Sequence, residues 1–157
     1  MTATAGQAVM SHRFDHYEPF KGSIPGRSQG VIISMGQGRA EAYAIDALQL
    51  TGIFFIDPGI QTYEGMIVGQ HCTSDDLEVN LQKAKRLTNI RAAASDDKLK
   101  IAPAQKMSLE EALEYVQSDE YVEVTPQNIR LRKKYLTSLE RRRMRSAMLK
   151  QLAEEEA

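Results

Sequence analysis

The sequence predicts an α+β fold: a small, mostly β, barrel-like domain with two or three helices, led by a strand and closed by a C-terminal helix. Three observations predict it. Short β-branched or alternating runs recur along the chain, separated by Gly, Pro, Asn and Asp. Two internal windows place apolar residues at helical spacing, around residues 40–48 and 108–116. From Ser138 onward the pattern turns helical, with Met144, Met148, Leu149 and Leu152 as a thin apolar stripe.

Taken in order, residues 1–8 read as a frayed start, and residues 9–17 alternate imperfectly and carry aromatics, as a strand does. Residues 22–30, with three glycines and Pro25, read as a loop, and residues 29–35 as a buried strand. Gly36-Gln37-Gly38 turns the chain into a helix whose apolar face is Ala40, Tyr43, Ala44, Ala47 and Leu48, with Gly52 placed to cap its end. Residues 53–56, 63–71 and 77–81 follow as strands. In the last of these Leu77, Val79 and Leu81 share one face. Residues 98–102 are expected as a short strand ending before Pro103. Ser108 and Glu111 have capping-box spacing, with Met107 placed to staple against Ala112, and Leu109, Ala112, Leu113 and Val116 are the predicted buried face. Residues 121–124 form a strand closed by Thr125-Pro126. Ile129 and Leu131 alternate with Arg130 and Arg132 in a half-exposed strand with a basic outer face.

A length of 157 residues suits one domain, or one domain with an appendage, and 42% hydrophobic residues can fill its core. A lone cysteine, Cys72, excludes an internal disulfide and fits a reducing compartment. No run approaches the ~18 apolar residues of a membrane span, and no secretory signal is read, so a soluble intracellular protein is expected. The net charge of −1 conceals an asymmetry: residues 1–82 hold 4 basic and 9 acidic residues, residues 83–157 hold 16 and 12. Because screening confines a charge to about 8–10 Å, the local clusters decide what is attracted.

Several chemistries lack their residues. No P-loop motif occurs, and Gly36-Gln37-Gly38 lacks the third glycine of a dinucleotide fingerprint. His12, His16, His71 and Cys72 match no zinc spacing. Asp15, His16 and Glu18 on one strand point to alternating faces and need a bend to act together. The same geometry separates His71 from Cys72, and no serine sits in a nucleophile elbow. The chain alone is therefore expected not to be an enzyme.

The segment Lys83-Ala84-Lys85-Arg86-Leu87-Thr88-Asn89-Ile90-Arg91 puts four cations in nine residues with no acid between them, beside hydrogen-bonding Thr88 and Asn89. It reads as a phosphate contact or as a solvated loop. Arg130, Arg132, Lys133 and Lys134 read as a basic edge strand protected from aggregation or as a second RNA contact. Residues 139–156 read as a solvated helix whose terminal glutamates oppose the helix dipole.

Dispersed motifs carry a family resemblance. They are Phe14-Asp15-His16-Tyr17-Glu18-Pro19-Phe20, Tyr63-Glu64-Gly65-Met66-Ile67-Val68-Gly69, Lys85-Arg86-Leu87-Thr88-Asn89-Ile90-Arg91-Ala92, Met107-Ser108-Leu109-Glu110, and Val122-Glu123-Val124-Thr125-Pro126 with Ile129-Arg130-Leu131-Arg132-Lys133. Together, over about residues 6–145, the chain resembles the C-terminal part of the TypA/BipA translational GTPases. The resemblance implies that residues 1–21 correspond to the last strand of an elongation-factor-G-like domain, here an orphan strand without its sheet. It makes residues 22–137 the family's C-terminal domain and residues 138–157 a helical extension. It implies a chain without the family's GTPase domain, where GTP and Mg would bind, and so no cofactor for this chain.

The implied partners are the ribosome, the acceptor end of the A-site tRNA and ribosomal RNA, in ribosome assembly and stress response, with a cytoplasmic, ribosome-associated location and no membrane. The implied RNA-binding residues are Lys83, Lys85, Arg86, Leu87, Thr88, Asn89 and Arg91, with Arg130, Arg132 and Lys133 beside them. Gly69-Gln70-His71-Cys72-Thr73 departs from the family's Gly-x-His-Ser-Arg and lacks its cation. The chain is expected to be a monomer, with self-association through the orphan strand as the variant. The other function class is a protein-interaction module using that strand and the C-terminal helix.

Overall fold

The computed structural model describes residues 7–22, 26–84 and 100–155. Its elements in chain order are β1 (Val31–Ser34), β2 (Gly38–Arg39), α1 (Ala42–Leu48), β3 (Gly52–Phe54), β4 (Gln61–Thr62), β5 (Met66–His71), β6 (Leu77–Val79), α2 (Leu109–Tyr115), β7 (Glu120–Val124), β8 (Ile129–Lys133) and α3 (Ser138–Glu155). The α+β, mostly β expectation holds, with three helices.

β5 is the axis of a six-stranded mixed sheet. β1 pairs antiparallel along one side of it, with a register shift between Ile32 and Ile33, and β6 pairs parallel to β1. On the other side β3 and β8 lie end to end, β3 against Gly69, Gln70 and His71, β8 against Met66 and Ile67. β7 completes a hairpin with β8, and β2 pairs with β4 in a small separate sheet. Among the described residues β6 and β7 end the sheet path, with no ladder between them.

Both faces of β5 are buried, which is why residues 66–68 read as a continuous apolar run. One face packs Ile32, Met66 and Val68 with Ile45, Phe54 and Leu81. The other packs Val31, Ile33 and Ile67 with Leu131 and Ala112 of α2. The alternation of Leu77, Val79 and Leu81 holds, since all three meet the first cluster.

Local expectations differ at several points. α1 begins at Ala42 and ends on Gln49, while Gly52 belongs to β3. A Cβ at Gly52 would stand 1.9 Å from the Gln70 carbonyl oxygen, so this glycine permits strand approach and caps nothing. The expected strand at 63–71 starts late because Gly65, at φ +83, turns the chain between β4 and β5. A Cβ there would also meet Leu136 Cα at 2.7 Å, just before α3.

Residues 9–17 form no ladder and stand exposed, from Val9 to Tyr17 at 99% and 93%. A strand needs a neighbour for its amides, and no described element supplies one. Residues 100–102 carry no strand, and residues 98–99 lie outside the described ones. The capping box of α2 forms as expected, Ser108 Oγ accepting from the Glu111 amide and Glu111 accepting from the Ser108 amide. Its inner face, however, is Ala112 with Tyr115 and Val116, while Leu109 and Leu113 face water. Fully buried Ala112 lets this two-turn helix lie close on the sheet, and its period then carries Leu113 outward.

The separated strands are bridged by side chains. Lys133, at the end of β8, sends Nζ to Asp76 at 2.7 Å, Asp119 at 2.8 Å and Glu120 at 3.0 Å. The Glu120 carboxylate, fully buried, also takes two guanidinium N–H bonds from Arg27 and the amide of Gln117. Asp76 accepts the Val31 amide, and the Arg27 guanidinium lies 4.4 Å from the Tyr115 ring centre. The cluster thus binds the chain before β1, the chain before β6, the α2–β7 turn and the end of β8. Lys133, expected among the RNA-binding residues, is instead turned inward: its side chain is 4% exposed and spent on carboxylates.

Burial alone would depress the Lys133 ammonium, but the hydrogen bonds it donates to Asp119 and Asp76 outweigh it and raise its pKa above 10.5. Its contribution is therefore present below the ordinary lysine range and lost as pH rises through the higher folded value. Lys133→Met should leave the carboxylates short of a cation and cost roughly 3 kcal/mol. Urea unfolding followed by circular dichroism at pH 7 checks this as a lower midpoint at unchanged slope.

Candidate nucleic-acid interface

The cations divide by direction. Lys83 is exposed and follows the last residue of β6 by four positions. Lys85, Arg86, Leu87, Thr88, Asn89 and Arg91 lie outside the described residues. Arg130 is half-buried on the rim of a cleft of about 580 Å³ between the β7–β8 turn, Phe55 to Asp57, and Met107. Arg132 is drawn inward: its Nε lies 2.9 Å from the Glu123 carboxylate, and its guanidinium lies 5.1 Å from the Tyr121 ring centre. Glu123 also accepts the Tyr63 hydroxyl at 2.6 Å, and burial with that bond pushes the phenol well above its ordinary pKa. The structure therefore leaves Lys83 and part of Arg130 facing outward, engages Arg132 and buries Lys133.

Among the described residues α3 carries a dense run of outward cations, where the charge pattern alone reads a solvated helix. Arg142, Arg143, Arg145 and Lys150 are all exposed. The base of this helix is fixed. Thr137 and Glu140 form a reciprocal amide–side-chain pair, at 3.3 and 3.4 Å. Sequence reading passes over this capping box although Thr137-Ser138-Leu139-Glu140 carries its spacing. Glu64 accepts the Ser138 amide at 3.2 Å. Arg141 reaches across to Glu78 of β6 at 2.7 Å and donates to the carbonyls of Tyr135 and Leu136. Glu78 is thus shared between α3 and the strand that leads into the Lys83 segment.

Other reactive groups do not assemble a reaction centre. His16 bonds both Asp15 at 2.7 Å and Glu18 at 3.0 Å, against the expectation that a strand would separate them. Residues 15–18 are not a strand, so the alternation does not apply, and the three stand exposed in solvent. His71 Nδ1 meets the Asp75 carbonyl and the Thr73 hydroxyl, at 2.6 and 2.8 Å. Among the described residues no group of His, Cys, Asp and Glu could hold a metal ion, and no helix is long and apolar enough to cross a membrane.

The fold is thus an α+β domain braced by an ion cluster, with exposed cations at Lys83 and along α3. Its family is specific: the chain belongs to the TypA/BipA C-terminal domain family, whose profile matches residues 29–138. It is 48% identical over 142 residues, 90% of this chain, to the large ribosomal subunit assembly factor BipA of Bacillus subtilis. The identity is 46% over 144 residues, 91% of this chain, to the BipA of Salmonella typhimurium, and 45% over 148 residues, 94% of this chain, to that of Escherichia coli K12. These matches take in 23% and 24% of the relatives' lengths, so the chain spans about a quarter of each.

Burial pushes the Glu78 carboxyl upward, but Arg141 and Ser138 outweigh it and hold it below 4.5. The anchor is then whole above the ordinary glutamate range and is lost as pH falls through the lower folded value. Glu78→Gln should cost roughly 0.5–1 kcal/mol. Amides at the start of α3 should exchange faster at pH 7 in this variant, and in the parent chain as pH falls through the lowered Glu78 value, once the intrinsic pH dependence of exchange is removed.

Proposed function

We propose that this chain is a ribosome-binding module that contacts RNA and is non-catalytic by itself. Membership in the TypA/BipA C-terminal domain family, with relatives named large ribosomal subunit assembly factors, carries the reading. Its contact surface is built from Lys83, Lys85, Arg86, Leu87, Thr88, Asn89 and Arg91, with Arg130 as an outlying cation. The cations neutralise phosphates, while Thr88 and Asn89 hydrogen-bond sugar or base edges. The partners are ribosomal RNA and the acceptor end of the A-site tRNA. GTP and Mg belong to the GTPase part of the longer family proteins, which act in ribosome assembly and stress response. The working place is the cytoplasm, on the ribosome.

The exposed placement of Lys83 at the exit of β6 supports the reading, because it starts the basic segment on the outside of the folded sheet. Lys85→Glu, Arg86→Glu and Arg91→Glu together should weaken binding to large ribosomal subunits at least tenfold. The slope of log K against log salt should flatten by about 2–3. Binding that ignores both the charges and the salt overturns the proposal.

A second reading rests on a separate observation. Val9, Met10, Phe14, Tyr17 and Phe20 are exposed together in residues 7–22, a density of apolar surface that suits a protein partner or a second copy of the chain. A partner retained after RNase treatment and lost on Phe14→Ser with Phe20→Ser would favour it. Sedimentation tests the second copy: a monomer at micromolar concentration rules out self-association through this segment.

A further inference from the structure

Among the described residues the basic face of α3 is a charged surface that neither the core nor the proposed loop contact uses. From residue 142 to 151 every residue is exposed, so the helix leaves the domain beyond its anchor at Arg141. At about 100° per residue, Arg142, Arg143, Ser146 and Lys150 fall within one arc of roughly 100°. With Ala147 they line a shallow groove of about 370 Å³, the small side chains lying between the long cations. Met144 and Met148 fall on the other side of the helix.

This helix is electrostatically costly as it stands. Arg142, Arg143 and Arg145 occupy its first half and Glu154 and Glu155 its end, the reverse of what the macrodipole favours. Arg142 and Arg145 add a like-charge pair at i, i+3. No apolar packing compensates along residues 142–151. A polyanion laid against the basic face removes the repulsion and supplies the missing negative charge.

We propose that the Arg142–Arg143–Lys150 face of α3 is a second RNA-contacting element that grips backbone phosphates. The proposal rests on the RNA-binding reading above and extends it to a site outside the loop. Three observations favour RNA over a protein. The cations are mostly guanidinium groups, whose planar fork fits phosphate oxygens. The face has no apolar centre, which a protein interface needs. Arg141 and Glu78 fix the helix base to the edge strand β6, whose last residue precedes Lys83 by four positions. Arg142 to Lys150 spans about 12 Å of helix axis, enough for two or three successive phosphates of one strand.

The test compares Arg142→Gln/Arg143→Gln/Lys150→Gln with Lys85→Gln/Arg86→Gln/Arg91→Gln in the full chain. Binding to a fluorescent 20-base-pair RNA duplex and to large ribosomal subunits is measured from 50 to 300 mM salt. The helix variant should bind at least fivefold more weakly at 100 mM and flatten the salt slope by about 2–3, with Arg→Lys replacements restoring the slope. Its circular dichroism should match the parent, since the changed residues are exposed. An unchanged slope in the helix variant beside a flattened slope in the loop variant overturns this proposal and leaves the RNA reading standing. Unchanged slopes in both overturn the two together. An RNase-resistant, salt-insensitive partner lost on Met144→Ser/Met148→Ser overturns it in favour of protein docking.

Discussion

The bridge from Lys133 to Asp76, Asp119 and Glu120 is the constraint on which the rest of the domain depends. An open sheet has two edges and no covalent reason to hold a given curl. Here the end of β8 is tied to the segment before β6, and Glu120 on β7 is tied through Arg27 to the segment before β1. Two cations and three carboxylates leave one negative charge over, borne where water still reaches: Asp76 and Asp119 side chains are 38% and 56% exposed, Glu120 not at all. An apolar replacement of the whole cluster could match it in stability. It could not match it in specificity. Glu120 and Lys133 stand directly opposite in the β7–β8 ladder, so a two-residue slip, which keeps every apolar side chain on its face, would part them.

The same cluster explains which parts of the molecule were legible in the sequence. Periodicity located β1, β5, β6 and the two strands of the last hairpin because each packs an apolar face against a neighbour. The α2 start was legible to the residue, since a capping box acts over four positions. What failed depended on contacts across long separations. Residues 9–17 have strand composition without a partner. Gly52 looks like a helix cap until β3 is seen pressed on Gln70. Leu109 and Leu113 have the helical spacing of a core face, yet Ala112 sets the contact.

The basic residues show the limit most clearly. In sequence, Arg130, Arg132, Lys133 and Lys134 are one run. In the fold, Arg132 serves Glu123 and Tyr121, Lys133 serves three carboxylates, and only their neighbours face outward. Strand alternation separates the two faces of such a run, but it does not say which face holds buried acids. Asp76, 57 positions earlier, decides that for Lys133, and Glu120, 93 positions later, decides it for Arg27. A count of cations therefore overstates the surface available to an anion, and only pairing in the fold reduces it to the set that is free.

That reduced set has an arrangement. The cations of α3 beyond Arg141 sit on a segment the core does not cover, while the paired Arg141 fixes where that segment begins. Arg141 is the clearest case. Its guanidinium is consumed by Glu78 and by the carbonyls of Tyr135 and Leu136, so it contributes no free charge. It instead sets the direction in which Arg142, Arg143, Arg145 and Lys150 leave the domain. Elements of low local stability are where binding most readily changes a protein's order, because few internal contacts compete with the ligand's. A rigid base with a weakly held, highly charged extension gives up little tertiary structure when a polyanion binds it. The ion cluster and the basic extensions are thus two uses of the same residue types. Buried and paired, they hold the sheet, and solvated with repulsion unrelieved, they favour an anionic partner.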